Sequence, residues 1–184
     1  MSKVLVAYAT TEGQTAKIAK AVAAQLEKRG VEVQLTDFGG LPRSFDLAPF
    51  DAVFLAASLH IGRYQAAAHR FAKAHAEALG ARPSAFIAVS LSAVAEEPEG
   101  VEDAQRCADK FFDETGWTPL ATHHAAGALK FSEYDFLRTW VMKRIAAAQG
   151  YDASTGEDME FTDWSALDEF VEEFMRIHVD KGGE

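Results

Sequence analysis

The chain has 184 residues, 48% of them hydrophobic and 25% charged, which suits one soluble globular domain with a sizeable core. Its net charge of −10 is uneven: residues 152–184 hold eleven acids and two bases, and residues 1–151 hold 17 acids and 16 bases. A neutral body with an acidic C-terminal face lacks the basic stripe of a nucleic-acid binder.

No apolar run approaches the roughly 18 residues that span a bilayer, so no transmembrane segment is expected. A strand signal that begins by residue 3 leaves no room for a signal peptide. The single cysteine, Cys107, excludes an internal disulfide and reads as a buried, inert helix residue. These features suggest a cytoplasmic protein, with peripheral contact at the inner face of the membrane left open.

"KVLVAYA" (3–9) is a nearly continuous apolar run, the pattern of a strand covered on both faces. Residues 13–29 read as a helix, with Ala19, Val22, Ala23 and Leu26 along one side and Gly30 closing it. "VEVQLTD" (31–37) alternates as a strand, and "AVFLAASL" (52–59) is a further buried strand. Residues 64–79 form a predicted helix ending at Gly80. "SAFIAVSL" (84–91) is a fourth strand, followed by a helix over 101–115 that ends at Gly116. "PLATHHAAGAL" (119–129) is the fifth strand, and residues 134–148 form an amphipathic helix with Leu137, Trp140, Val141, Ile145 and Ala148 on one stripe. After a polar stretch, a last helix begins near Thr162–Asp163 and carries Leu167, Phe170, Val171, Phe174 and Ile177.

Repeated strand–helix units imply an α/β fold: a parallel sheet with helices on both faces. Ligands of such sheets bind beyond the carboxyl ends of the strands, where the strand order reverses. That directs attention to residues 10–15, 58–64, 90–100 and the segment after 129.

The turn 10–15 carries Thr10, Thr11, Gln14 and Thr15 around Gly13, between the first strand and a helix N-terminus. Free backbone N–H groups and the helix dipole favour an anion there, and threonine hydroxyls add donors. Helix capping by one threonine is the competing reading, and Glu12 is unwelcome beside a phosphate unless it points outward. The G-x-G-x-x-G fingerprint of a dinucleotide site is absent, and so is the G-K-[ST] of a Walker loop. Asp37, at the end of strand 2, then reads as a turn residue, and a monophosphate cradle remains. Gly62 would let backbone approach a bound group closely. His60 and Tyr64 could flank that group, or His60 could face solvent and Tyr64 could simply begin a helix. His123 and His124 lack spaced partners for a metal, so no metal site is expected. Trp140 reads as core, and Trp117 and Trp164 as packing anchors.

Thr-Thr-Glu-Gly-Gln-Thr after a first strand resembles the phosphate loop of flavodoxins. "AASLHIGRYQAAAHRF" (56–71), "AGALKFSEYDFLRTWVMKRI" (126–145) and "GEDMEFTDW" (156–164) further resemble the flavodoxin-like, quinone-dependent protoporphyrinogen dehydrogenases of bacteria. The resemblance implies a doubly wound, five-stranded parallel sheet of order 2-1-3-4-5 in one domain spanning 1–184, with an insertion after strand 5 at about 130–161. It implies FMN held noncovalently: Thr10, Thr11, Gly13, Gln14 and Thr15 at the phosphate, Ser58, Leu59, His60, Ile61, Gly62 and Tyr64 along the ring, and Ser90, Leu91 and Ser92 on the far side. No dedicated catalytic acid or base is evident. Lys130, Arg138, Lys143 and Arg144 make the start of the insertion cationic and are candidate contacts for an anionic tetrapyrrole. Two functions follow. One is a dehydrogenase that passes electrons from a porphyrinogen to a quinone. The other is an electron carrier that docks on redox partner proteins.

Overall fold

The computed structural model describes residues 2–42, 44–90, 98–129 and 159–180. In chain order the elements are β1 (Lys3–Ala9), α1 (Gln14–Lys28), β2 (Glu32–Asp37), a 3-10 turn (Phe38–Gly40), β3 (Ala52–His60), β4 (Arg63–Tyr64), α2 (Ala66–Ala74), α3 (Ala76–Gly80), β5 (Ser84–Ser90), α4 (Pro98–Thr115), β6 (Ala121–Ala126), β7 (Ala128–Leu129), β8 (Met159–Glu160) and α5 (Trp164–His178).

The main sheet has the order β2-β1-β3-β5-β6, with neighbours along this path parallel. Counting the five long strands alone, this is the order 2-1-3-4-5 that the family resemblance implied. The short β4 folds back antiparallel on the end of β3. The order reverses between β1 and β3, so their carboxyl ends diverge into a crevice there.

Alternation along the strands sorts the core into two layers. Val4 and Val6 of β1, Phe54 of β3 and Ile87 of β5 pack with Ile18, Val22 and Leu26 of α1 and Leu167, Val171 and Phe174 of α5. Leu5 and Ala7, Val53 and Leu55, and Phe86 face the other way, onto Phe71 of α2, Phe111 of α4 and Trp117. Val4, Leu5 and Val6 are all 0% exposed, which is why β1 reads as an unbroken apolar run rather than an alternating one. Trp117 anchors the second layer: its indole N–H donates to Ser84 Oγ at 3.0 Å, and that hydroxyl donates to the Leu79 carbonyl at 3.1 Å. Both polar groups are thus satisfied inside an apolar layer.

Two elements and one residue differ from the sequence reading. The helix expected over 64–79 is instead β4, α2 and α3, broken at His75 (φ −117°, ψ 16°). The break aims the fully buried Leu79 into the second layer. The fifth strand stops at Ala126, and Gly127 separates it from β7. β7 then pairs antiparallel with β8, so the returning end of the insertion lies beside its start. Cys107 is half-buried on α4 rather than buried. Trp140 and the helix expected over 134–148 lie outside the described residues.

Candidate functional site

The residues of the 10–15 turn stand where β1 ends and α1 begins. Gly13 caps α1 in the left-handed region (φ 95°, ψ −17°), a conformation that a side chain would strain. Its N–H donates to the Thr10 hydroxyl at 2.8 Å, closing the turn. The residue that caps the helix is therefore the glycine, which makes no side-chain bond, and Thr10 serves the turn. Thr15 is 1% exposed, and its Oγ1 is buried without a hydrogen-bond partner among the described residues. An orphaned buried hydroxyl in the first turn of a helix costs roughly 1–3 kcal/mol until something pairs with it.

Thr15 opens into a cleft lined by Thr10, Thr11, Gln14, Ser58, His60 and Ser90, among others. The cleft has a volume of about 60 Å³ and a wide mouth to solvent. Glu12 also reaches the lining, the one carboxylate to do so among the described residues, and is the group least suited to an anion. The cleft thus joins the ends of β1, β3 and β5 at the reversal of strand order.

Two residues that the sequence reading did not single out tie this cleft together. Gln65, at the start of α2, accepts the Ser58 N–H at 3.0 Å, donates to the Ser58 hydroxyl and reaches Thr11 Oγ1 at 3.3 Å. It locks the loop after β3 to the loop after β1. Thr162 donates to the Ala126 carbonyl at 2.8 Å and accepts from the Gln14 amide at 2.8 Å, joining the end of β6 to the start of α1. Below it, Glu160 binds Lys17 and accepts the Trp164 indole N–H at 2.8 Å. Lys17 therefore holds the Glu160 carboxyl below its usual range. Both missed residues sit inside sequence blocks that carry the family resemblance, "IGRYQ" and "FTDW". Their roles are hydrogen bonds across 54 and 148 residues, which no local pattern reveals.

Of the expected ring-lining residues, Ser58, Leu59 and His60 reach the cleft and three others do not. Ile61 is 92% exposed at the hairpin tip. Gly62 (φ 72°) follows it in the turn and has nothing within 4 Å of where a Cβ would stand. The backbone angle, not crowding by the protein, requires glycine there. Tyr64 turns inward instead. It is 8% exposed, with its ring edge-on to Phe86 at 5.1 Å and Phe111 at 5.2 Å, on the α4 side of the sheet. Burial raises the Tyr64 hydroxyl well above its ordinary pKa, so it remains a neutral phenol. Leu91, Ser92, Lys130, Arg138, Lys143 and Arg144 lie outside the described residues.

The residues present fit a phosphate-bearing flavin. Thr15, whose buried hydroxyl has no partner among the described residues, lines a cleft at a helix N-terminus, and Ser58, Leu59 and His60 border the same cleft. Residues 5–155 match the family model described as a flavodoxin domain. The chain is 30% identical over 176 residues to the protoporphyrinogen IX dehydrogenase (quinone) of Escherichia coli strain K12, covering 95% of this chain and 96% of that one. It has the same identity to the Leishmania major protein of that name, covering 95% of this chain and 75% of that one. The crystal structure of flavodoxin 2 from Bacillus cereus superposes with a TM-score of 0.60 at 17% identity, over 95% of this chain and 99% of that one. A domain of this kind implies a flavin cofactor. The chain belongs to the flavodoxin family and is a protoporphyrinogen dehydrogenase-like oxidoreductase within it.

Proposed function

We propose that this chain, acting as one domain, holds FMN noncovalently in the cleft and dehydrogenates protoporphyrinogen IX or a similar tetrapyrrole, with a quinone as electron acceptor. The observation that carries the cofactor reading is the buried, unpartnered Thr15 hydroxyl at the start of α1. The reaction reading is supported by 30% identity over 95% of the chain to enzymes named for that dehydrogenation.

The residues divide the work as follows. The Thr11 and Thr15 hydroxyls, the Gln14 amide and the first N–H groups of α1 would hold the phosphate, and the turn closed by Thr10 and Gly13 presents them. Ser58, Leu59, His60 and Ser90 would border the ring. Gln65 keeps the loop after β3 at a fixed distance from the phosphate loop, so phosphate and ring contacts are held in one geometry. Thr162 and Glu160 attach the base of the insertion to the same helix end. FMN held there would supply the redox chemistry between the reduced substrate and the quinone. By charge alone, Lys130, Arg138, Lys143 and Arg144 are candidate partners for substrate carboxylates.

The test is anaerobic. Oxidised, flavin-loaded protein is mixed with protoporphyrinogen IX, and flavin absorbance and porphyrin fluorescence are followed together. Loss of oxidised-flavin absorbance as porphyrin appears, reversed by adding a quinone, supports the reading. A flavin that stays oxidised, yet is readily reduced by a general flavin reductase, makes the chain an electron carrier for redox partner proteins. Preference for FAD over FMN removes the cofactor assignment.

A further inference from the structure

A second cavity, of about 380 Å³, lies on the α2–α4 side of the sheet and shares the β3–β4 hairpin with the flavin cleft. Its inner wall is Phe111 and Tyr64, and its rim carries Arg63, Arg70 and Lys110. The Tyr64 hydroxyl is buried and makes no hydrogen bond among the described residues, although the ring is packed on both sides. Arg63 and Arg70 are exposed and make no ion pair among the described residues. Glu114, the carboxylate of this lining, already faces His69 at 3.4 Å and lies 3.9 Å from Lys110. Asp109 is nearby and accepts from Gln105 at 2.8 Å.

An aromatic wall with an orphaned phenol and cations unmatched by acids is a site for a flat apolar body that ends in carboxylates. The hairpin places it beside the flavin cleft: His60 lines the cleft and pairs across the ladder with Arg63, while Leu59 does the same opposite Tyr64. Directly opposed residues stand only about 5 Å apart.

We propose that this cavity seats the carboxylate-bearing edge of the tetrapyrrole, with Arg63 and Arg70 pairing with its propionates and the Tyr64 hydroxyl donating to one of them. This rests on the substrate reading above, but it concerns binding rather than turnover. Fixing the propionates on one flank of the hairpin orients the macrocycle toward the cleft on the other flank. Arg63, Arg70 and Tyr64 then act through substrate placement, not through the flavin.

The experiment uses the flavin-loaded protein and protoporphyrin IX, the oxidised product, which binds without reacting. Binding is read by quenching of the protein's tryptophan fluorescence, with the dimethyl ester of the same porphyrin as the uncharged control. The R63Q/R70Q double variant should bind the diacid about tenfold more weakly, since two exposed charge contacts are lost. The ester should bind both proteins alike, and the flavin spectrum should not change. Y64F, which retains the packed ring, should weaken the diacid further. Equal diacid affinity in wild type and R63Q/R70Q overturns the proposal, as does a wild type that binds ester and diacid equally. Arginine-dependent binding without flavin reduction by protoporphyrinogen would leave this site standing and remove the dehydrogenase reading. Turnover with arginine-independent binding would do the reverse.

Discussion

Thr15→Val separates a structural threonine from a ligand-binding one, because the two roles predict opposite signs. Valine has nearly the same shape and differs by a methyl in place of the hydroxyl. In the structure that hydroxyl is buried with no partner among the described residues, so its removal leaves no new group unsatisfied. An unpaired buried hydroxyl costs roughly 1–3 kcal/mol, and replacing it by an apolar isostere recovers part of that. The two residues have similar helix propensity. The flavin-free Thr15→Val protein should therefore be more stable by about 1 kcal/mol, a rise of roughly 2–4 °C in Tm for a chain of this size. Its FMN affinity should fall, because a hydrogen bond to a charged phosphate contributes about 1.5–3 kcal/mol, or roughly 10- to 150-fold in Kd. The assays are urea unfolding of the stripped protein, followed by tryptophan fluorescence, and titration of FMN by quenching of flavin fluorescence. Thr15→Ser keeps the hydroxyl and should restore most of the affinity. A valine variant that is less stable and binds FMN as well as wild type would refute the reasoning: the hydroxyl would then serve the fold.

The hairpin tip gives a second test. Ile61 is a β-branched residue at φ 49°, followed by Gly62 at φ 72°, and the two form a two-residue turn with both angles positive. Ile61→Asn should stabilise the flavin-free protein by about 1 kcal/mol in the same urea assay, since asparagine tolerates that angle and a 92% exposed side chain gives up no packing; a loss of stability would contradict this. The pH dependence should show two windows. Burial lowers the pKa of His123 and of His124 below 6.5, so as pH falls under 6.5 the unfolded chain takes up protons first and stability declines until the folded values are passed. Glu160, held below 4.5 mainly by its bond from Lys17, contributes stability above that value and loses it as pH falls through its folded pKa. His123→Phe, which keeps a ring beside Phe170, should flatten part of the upper window and leave the lower one; denaturant midpoints from pH 8 to pH 3 would check both.

The sequence by itself determined the layers of the sheet and the place of the cleft. Apolar runs such as "VLVA" and "AVFLAA" can exist only where both faces are covered, and repeated strand–helix units give a parallel sheet whose carboxyl edge carries the cleft. The hydroxyl-rich turn at 10–15 was legible because its chemistry is local: backbone donors, a glycine and threonines within one turn. Tertiary structure decided which neighbours a side chain meets. Tyr64 follows a glycine turn and reads equally well as a ring-lining residue or a helix start. Pairing of β4 with β3 instead directs it between Phe86 and Phe111, so it leaves the cleft at the strand ends and becomes a wall of the second cavity. Gln65 and Thr162 are ordinary polar residues in the chain, and they acquire roles only because folding brings Thr11, Ser58 and Gln14 within hydrogen-bond reach. Periodicity records what a residue must bury, because burial repeats with the backbone. It does not record a hydrogen bond to a residue 148 positions away, because that bond depends on how whole elements pack.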